Sequence, residues 1–261
     1  MNCRTPFFIW FHHRSGSSHL CSLLDSHPEI ACWGEFFYRG EAGVDGDLFT
    51  RSACDTEAEF LNDVYSHRWS PSGATLCADD PEPPLATAVG FKLKYQQGDS
   101  YPCVLDHLRS HRSMKAIHLV RTNLVAALLS ASMIPRLLDQ FQRANLLATT
   151  PSHDLDRTVW LDTETILDEL VELESRIDVA RRELDAMDCL EVTYENLIDS
   201  PKKTCQSILD FLDVDASIEL VSRLQKIMPH SIAASLGNFD EVSEALEGTR
   251  FAVHLDSSSK A

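Results

Sequence analysis

The run Phe7-Phe8-Ile9-Trp10-Phe11 passes without a break into His12-His13-Arg14-Ser15-Gly16-Ser17-Ser18-His19-Leu20, and this junction decides the fold. Five consecutive apolar residues, four of them aromatic, read as a strand buried on both faces, as in the middle of a parallel sheet. Beyond the loop of small residues, Leu20, Leu23 and Leu24 recur at i, i+3, i+4, which is one face of a helix. Pro28 ends that helix. Residues 29–37, EIACWGEFF, read as a second strand ending near Gly34-Glu35. Strand, loop, helix and strand make a βαβ unit within the first 36 residues.

The same alternation continues along the chain. A helix is expected near Glu57–Tyr65, inside a stretch (residues 40–87) otherwise rich in Gly, Asp, Pro and Ser. Ala88–Tyr95 reads as a third strand, Leu105–Arg112 as a short helix and Lys115–Arg121 as a fourth strand. Asn123 caps a dense helical pattern that runs to Ile134. Thr163–Met187 is a long amphipathic helix, with acidic residues early and Arg181-Arg182 late, as the helix dipole favours. Cys189–Leu197 reads as a fifth strand, followed by a helix with Pro201 in its first turn. Strands alternating with helices predict an α/β three-layer sandwich with a mainly parallel central sheet. No linker divides it, so residues 1–255 are expected to form one domain, with a disordered tail over 256–261.

Composition narrows the partners. Forty acidic residues against 23 basic give a net charge of −17, which argues against nucleic acid and against an anionic membrane surface. Any anionic ligand must be held by a local cluster of cations and backbone N–H groups. The N-terminal apolar run is too short for a signal-peptide core or a membrane span, and Leu124–Ile134 is interrupted by Ser130 and Ser132. The eight cysteines include no pair at zinc-knuckle spacing, and the 11 histidines fit no metal template. The expectation is a cytoplasmic protein with reduced thiols and no metal.

The loop Arg14-Ser15-Gly16-Ser17-Ser18 is the sharpest chemical signal. It lies at the carboxyl end of a strand, where α/β sheets bind ligands. Small residues let N–H groups converge on an anion, and the helix behind points its positive end at the same place. Arg14 adds a permanent charge with a fork of donors. A phosphate or sulfate cradle is one reading, and a Ser/Gly turn before an N-capped helix is the other. It is not a G-x-x-x-x-G-K-[ST] loop, because no lysine is placed to reach a terminal phosphate. Arg121 ends a buried strand and Ser130 follows on the next helix, so the pair can grip one phosphate from two sides; a helix-start salt bridge is the alternative for Arg121.

Together these residues resemble the sulfotransferases that use 3′-phosphoadenosine 5′-phosphosulfate (PAPS). RSGSSHL looks like that family's 5′-phosphosulfate loop, and SHPEIACWGE like the segment after it. HLVRTNLVAALLSA is similar to the 3′-phosphate motif, and VTYENLIDSPKKTCQSILDFLDV to a late strand and helix. The matched blocks lie between residues 7 and 214. The resemblance implies a P-loop NTPase-like fold. It also implies transfer of a sulfuryl group from PAPS, leaving 3′-phosphoadenosine 5′-phosphate (PAP), to a hydroxyl or amine on a carbohydrate or other small-molecule acceptor. Arg14, Ser15, Gly16, Ser17, Ser18, His19, Arg121 and Ser130 would then bind the cofactor. In two respects the sequence departs from the pattern: His12-His13 precede the loop where smaller residues are common, and Thr122 follows Arg121 where a second basic residue is frequent.

The acceptor must lose a proton, so a base is needed. Glu35 ends the second strand and should open toward the same crevice as Arg14; the resemblance also places a carboxylate there. A surface or helix-capping carboxylate is the alternative. Lys92 and Lys94 share one face of the third strand, ~6.6 Å apart by strand rise, and a lysine pair is unexpected on a covered sheet. Lys92 better matches the lysine that some family members direct at the sulfonate, and which of the two faces it stays open. Tyr194 is placed near the adenine or, alternatively, in the core at a strand end. A P-loop small-molecule kinase and a non-catalytic nucleotide-binding protein remain as alternatives. The acceptor's identity and the oligomeric state are not legible in the sequence.

Overall fold

The computed structural model describes residues 4–37, 49, 52, 54–66, 86–228 and 231–255. The tail 256–261 and most of the Gly/Asp/Pro/Ser-rich stretch lie outside the described residues. In chain order the first elements are β1 (Thr5–Phe11), α1 (Ser17–Leu24), β2 (Ile30–Glu35), α2 (Glu57–Tyr65), β3 (Ala88–Lys94), α3 (Tyr95–Ser100) and α4 (Pro102–Ser110). Next come β4 (Lys115–Val120), α5 (Leu124–Ser132), α6 (Ile134–Phe141), β5 (Leu146–Leu147) and α7 (Ile166–Leu184). The chain continues through β6 (Asp188–Thr193), α8 (Tyr194–Asp199), α9 (Pro201–Phe211), β7 (Leu224–Gln225) and α10 (Phe239–Leu246) to a 3₁₀ turn over Ala252–His254.

Five strands form one parallel sheet in the order β2-β3-β1-β4-β6. The apolar run is its central strand. Phe7, Phe8, Ile9, Trp10 and Phe11 are all at most 2% exposed, which is why the run carries no polar alternation. Phe7, Ile9 and Phe11 pack toward α1 and α9, with Leu20, Leu24, Ile208 and Leu209. Phe8 and Trp10 pack toward the opposite layer, with Phe60 of α2, Val104 of α4, Val125 of α5 and Leu170 of α7. Helices thus cover both faces, giving the expected three-layer α/β sandwich with the P-loop NTPase-like strand order. β1 has its sequence successors on one side and β4 and β6 on the other, so the crevice at the carboxyl ends of β1 and β4 is the switch point where such sheets take ligands.

Local signals set most boundaries. The Asn123 side chain accepts from Ala126 N–H and starts α5, and Pro201 occupies the first turn of α9. Several boundaries depart from the sequence reading; the long amphipathic helix runs over Ile166–Leu184 rather than Thr163–Met187, and the helix after Asn123 stops at Ser132. The fifth strand stops at Thr193, whose hydroxyl caps α8 by accepting from Asn196 N–H, so Tyr194 opens a helix rather than ending a strand. The helix read at 105–112 runs instead over Pro102–Ser110, because Pro102 supplies its first turn. By length and composition Leu124–Phe141 is apolar enough to cross a membrane. Here it is divided into α5 and α6, and Leu124, Val125, Leu129 and Leu137 are buried in the core.

Candidate active site

The cradle forms where β1 runs into α1. Gly16 is the N-cap of α1 with φ +90°, and Arg14 before it also has a positive φ of 59°. Left-handed backbone on both sides of Ser15 folds the loop tightly, and Ser15 N–H returns to His12 C=O at 3.3 Å. The N–H groups of the first helical turn then face outward without helical acceptors. Ser15 Oγ is buried with no hydrogen-bond partner among the described residues. A β-carbon on Gly16 would lie 2.4 Å from Tyr194 Cδ2, so the Tyr194 ring rests directly on the loop. Gly16→Ala is therefore expected to strain the backbone and push Tyr194 aside. The expected cost is about 1–3 kcal/mol of stability. Thermal unfolding measures it, and an unchanged melting temperature would show that the loop tolerates a side chain.

Cations converge on this loop. Arg14 Nε donates to Ser130 Oγ at 2.9 Å, and its NH1 reaches Ala144 C=O at 3.1 Å and Asn145 Oδ1 at 3.4 Å. Arg121 is 8% exposed, lies 4.5 Å over the Tyr194 ring and donates from NH1 to Arg14 C=O at 3.4 Å. Its Nε is buried without a partner. Neither guanidinium makes an ion pair among the described residues. Burial and the neighbouring Arg121 push the Arg14 pKa down to about 10, and burial also lowers that of Arg121. Their hydrogen bonds go to neutral acceptors only, and Tyr194 and Glu195 oppose the lowering at Arg121. Lys226 lines the same cleft. No Asp or Glu is among the described residues that line this open cleft.

The second part of the site lies beside the first on β3 and β2. Lys92 Nζ donates to Ser18 Oγ at 3.1 Å and lies 3.6 Å from Glu35 Oε1. Lys94 Nζ is 3.1 Å from Glu35 Oε2, which also accepts from Gln97 Nε2 at 2.7 Å. Asn145 Nδ2 donates to Ser18 Oγ at 3.2 Å. A chain of contacts therefore joins Glu35 through Lys92 and Ser18 to Asn145 and Arg14. Of the two lysines, Lys92 is the one that reaches the cradle. Burial alone would push the Glu35 pKa up, but Lys92 and Lys94, with hydrogen bonds from Lys94 and Gln97, outweigh it. The carboxyl is held below its ordinary value and is ionised at neutral pH.

Glu35 owes its direction to one residue. β2 pairs with β3 as Cys32 with Gly90 and Trp33 with Phe91, and then Glu35 with Lys92, so Gly34 is an extra residue in the register. Without this bulge Glu35 would fall opposite Leu93 and turn to the other face of the sheet.

The structure brings Arg14, Gly16, Ser17, Ser18, His19, Arg121, Ser130 and Tyr194 to one cleft. Ser15 lies buried beneath it, and Glu35 and Lys92 sit at its flank. Ser130 differs from the expected arrangement in one detail, because its hydroxyl is bonded to Arg14 rather than to Arg121. Tyr194 is half-buried against Gly16 and Arg121, which corrects its reading as a core residue. Sequence reasoning missed Asn145 and the segment 224–228. Both are brought in by the antiparallel pairing of β5 with β7, and two-residue strands leave no periodicity to read. Gln97 was also missed; it lies on α3, a helix whose six residues show no apolar period. Among the described residues no group of three or more His, Cys, Asp or Glu is arranged to hold a metal ion.

No family model matches the chain. It is 25% identical over 252 residues to nodulation protein H of Rhizobium tropici, a match covering 95% of this chain and 91% of that protein. Similar solved structures include a sulfotransferase from Alicyclobacillus acidocaldarius, with TM-score 0.49, 15% identity and coverage of 95% of this chain and 93% of that one. Another is the sulfotransferase domain of the Synechococcus PCC 7002 olefin synthase, with TM-score 0.42, 21% identity and coverage of 81% and 74%. A mouse sulfotransferase complexed with PAP gives TM-score 0.42, 16% identity and coverage of 95% and 74%. Each of these three solved structures is a sulfotransferase, the family that the motifs of this chain resemble.

Proposed function

We propose that this protein is a sulfotransferase that takes its sulfuryl group from PAPS and passes it to a hydroxyl or amine of a carbohydrate or other small metabolite. The observation that carries the reading is the pair Arg14 and Arg121. Two buried guanidinium groups meet at the switch point of a parallel sheet with no ion-pair partner among the described residues, in a chain of net charge −17. A buried cation without a direct ion-pair partner is costly, and an anionic ligand relieves that cost. The unpartnered Ser15 Oγ and Arg121 Nε fit the same ligand, since both offer hydrogen bonds inside the cradle.

When bound, PAPS supplies a sulfuryl group whose bond to the 5′-phosphate oxygen breaks as the bond to the acceptor forms, the electron pair leaving with PAP. Arg14, the first-turn N–H groups of α1 and Ser18 hold the 5′ end. Arg121 holds the 3′-phosphate, with Tyr194 stacked beneath it. Ser130 anchors Arg14 and stands within the same grip. Lys92 lies between Ser18 and Glu35, so an anion in the cradle competes with the carboxylate for it. As Lys92 turns to the anion, Glu35 loses one of the charges that depress its pKa and becomes a better base. Glu35 then takes the proton of the acceptor hydroxyl or amine on a carboxylate oxygen. Transfer of this kind rests on alignment and charge stabilisation, and side-chain cations supply both. One domain over residues 1–255, working in the cytoplasm, completes the proposal.

Binding is the direct test. PAP should raise the melting temperature more than ATP with Mg²⁺, and should outcompete adenosine 5′-phosphosulfate, which lacks the 3′-phosphate. Equal competition by the two sulfate-pathway nucleotides would remove Arg121 from 3′-phosphate recognition. A larger shift with ATP and Mg²⁺ would favour a kinase. Labelled PAPS with a panel of acceptors then separates an enzyme from a protein that only binds the nucleotide.

A further inference from the structure

His12 has no role in the reading above, yet it is buried with both ring nitrogens engaged. Its side chain is 1% exposed and sits between the cradle and the end of β4. Nδ1 lies 2.9 Å from His13 C=O, and Nε2 lies 3.0 Å from the backbone N of Arg121. A carbonyl can only accept and an amide N–H can only donate, so the two partners dictate one neutral tautomer: Nδ1 carries the proton and Nε2 is bare. His12 C=O meanwhile accepts from Ser15 N–H. We propose that His12 is a positioning residue, a neutral two-ended clamp that ties the loop bearing Arg14 to the strand end bearing Arg121 and so sets the spacing of the two guanidinium groups.

Three further observations support the clamp. The next two backbone donors after Arg121 are also taken, since Thr122 N–H and Asn123 N–H each donate to Glu195 at 3.0 Å. The turn after β4 therefore presents no free N–H at these three positions, and an anion there is met by the Arg121 side chain rather than by its backbone. Placing that side chain depends on where the Arg121 backbone is held, and His12 holds it. The groups around His12 oppose its protonation. Burial comes first, and His13, Arg121 and His118 add to it, while the bond to His13 C=O pulls the other way; together they bring its pKa down to about 3. Finally, the Tyr95 ring lies 6.2 Å from that of His12 and is itself tied through its hydroxyl to His118 Nε2 at 2.6 Å, which backs the clamp with a fixed wall. The same arrangement removes His12 as a catalytic base, because both of its nitrogens are engaged.

This inference rests on the assignment of Arg121 to the 3′-phosphate, and its test separates the two. His12→Phe keeps the ring and deletes both hydrogen bonds. PAP affinity is expected to fall roughly ten- to a hundred-fold, while affinity for adenosine 5′-phosphate, which lacks the 3′-phosphate, changes far less. A general loss of packing would weaken both ligands by the same factor, and that result overturns the proposal. His12→Gln, whose amide oxygen can still accept from Arg121 N–H, should recover much of the discrimination, whereas the shorter His12→Asn should not. This pair carries the contrast if His12→Phe does not fold. The clamp itself is read without ligand, by nitrogen NMR of the wild-type ring and by exchange of the Arg121 amide. A proton on Nε2, or Arg121 exchange unchanged in His12→Phe, overturns the clamp. If the wild-type protein fails to discriminate the two nucleotides while the tautomer and the exchange protection are as expected, the donor assignment falls and the clamp stands.

Discussion

Glu35→Gln is expected to lower turnover roughly 10²–10⁴-fold, the usual worth of a positioned general base. Glutamine keeps the shape and can still hydrogen-bond an acceptor, but it cannot take the proton. PAP affinity should not fall. Glu35 touches the cradle only through Lys92, and removing a negative charge 3.6 Å from Lys92 leaves that lysine freer to meet an anion. The pH profile follows from the sign of the shift. Because Lys92 and Lys94 hold the Glu35 carboxyl below its ordinary 4.5, the free protein keeps its base ionised down to lower pH. The acid limb of kcat/KM should therefore begin below pH 4.5, and the limb for kcat should lie higher once Lys92 is drawn to the ligand. The glutamine variant should lose both limbs. A variant that turns over a true acceptor at near wild-type rate moves the base elsewhere. His12 is then not a candidate, and His13 and His19, both with pKa values lowered by burial, are the remaining histidines of the loop.

Arg121→Ala should weaken PAP binding by about 2–4 kcal/mol, since a charge-assisted contact is lost and the phosphate stays partly desolvated. That is roughly 30- to 1000-fold in Kd. Stability should move little or in the opposite sense. Arg121 makes no ion pair among the described residues, and Arg14 is relieved of a like-charge neighbour when it goes. Such a split separates a ligand-binding arginine from a structural one, whose loss would lower the melting temperature with no change in affinity. Arg121→Lys should recover only part of the binding, because an ammonium neither stacks on Tyr194 nor offers a fork of donors. Calorimetry of the three proteins decides it.

Much of the architecture was legible because its signals are short-range. An uninterrupted run such as Phe7–Phe11 has to be covered on both sides, which places it in the centre of a parallel sheet. Leu20, Leu23 and Leu24 mark the buried face of α1, Asn123 starts α5, and Pro201 starts α9. The cradle loop and Arg121 could be found the same way, since each directly follows a buried strand and the carboxyl ends of such strands share one edge of the sheet.

What the sequence by itself determined was thus the order of the five sheet strands and of the main helices between them, the parallel sheet and the pair of strand ends that carry Arg14 and Arg121. Tertiary structure alone decided how the site is assembled from them. Glu35 faces Lys92 because Gly34 bulges from β2, and a one-residue change of register reverses every later side chain without altering composition. Asn145 and residues 224–228 reach the cleft because Leu146–Leu147 pairs with Leu224–Gln225, a contact between distant segments that no local period announces. Ser130 bonds to Arg14, Tyr194 lies on Gly16, and His12 is neutral for the same reason. Each depends on which partner is brought within hydrogen-bond or van der Waals range, and that is set by the packing of whole elements rather than by the propensities of neighbouring residues.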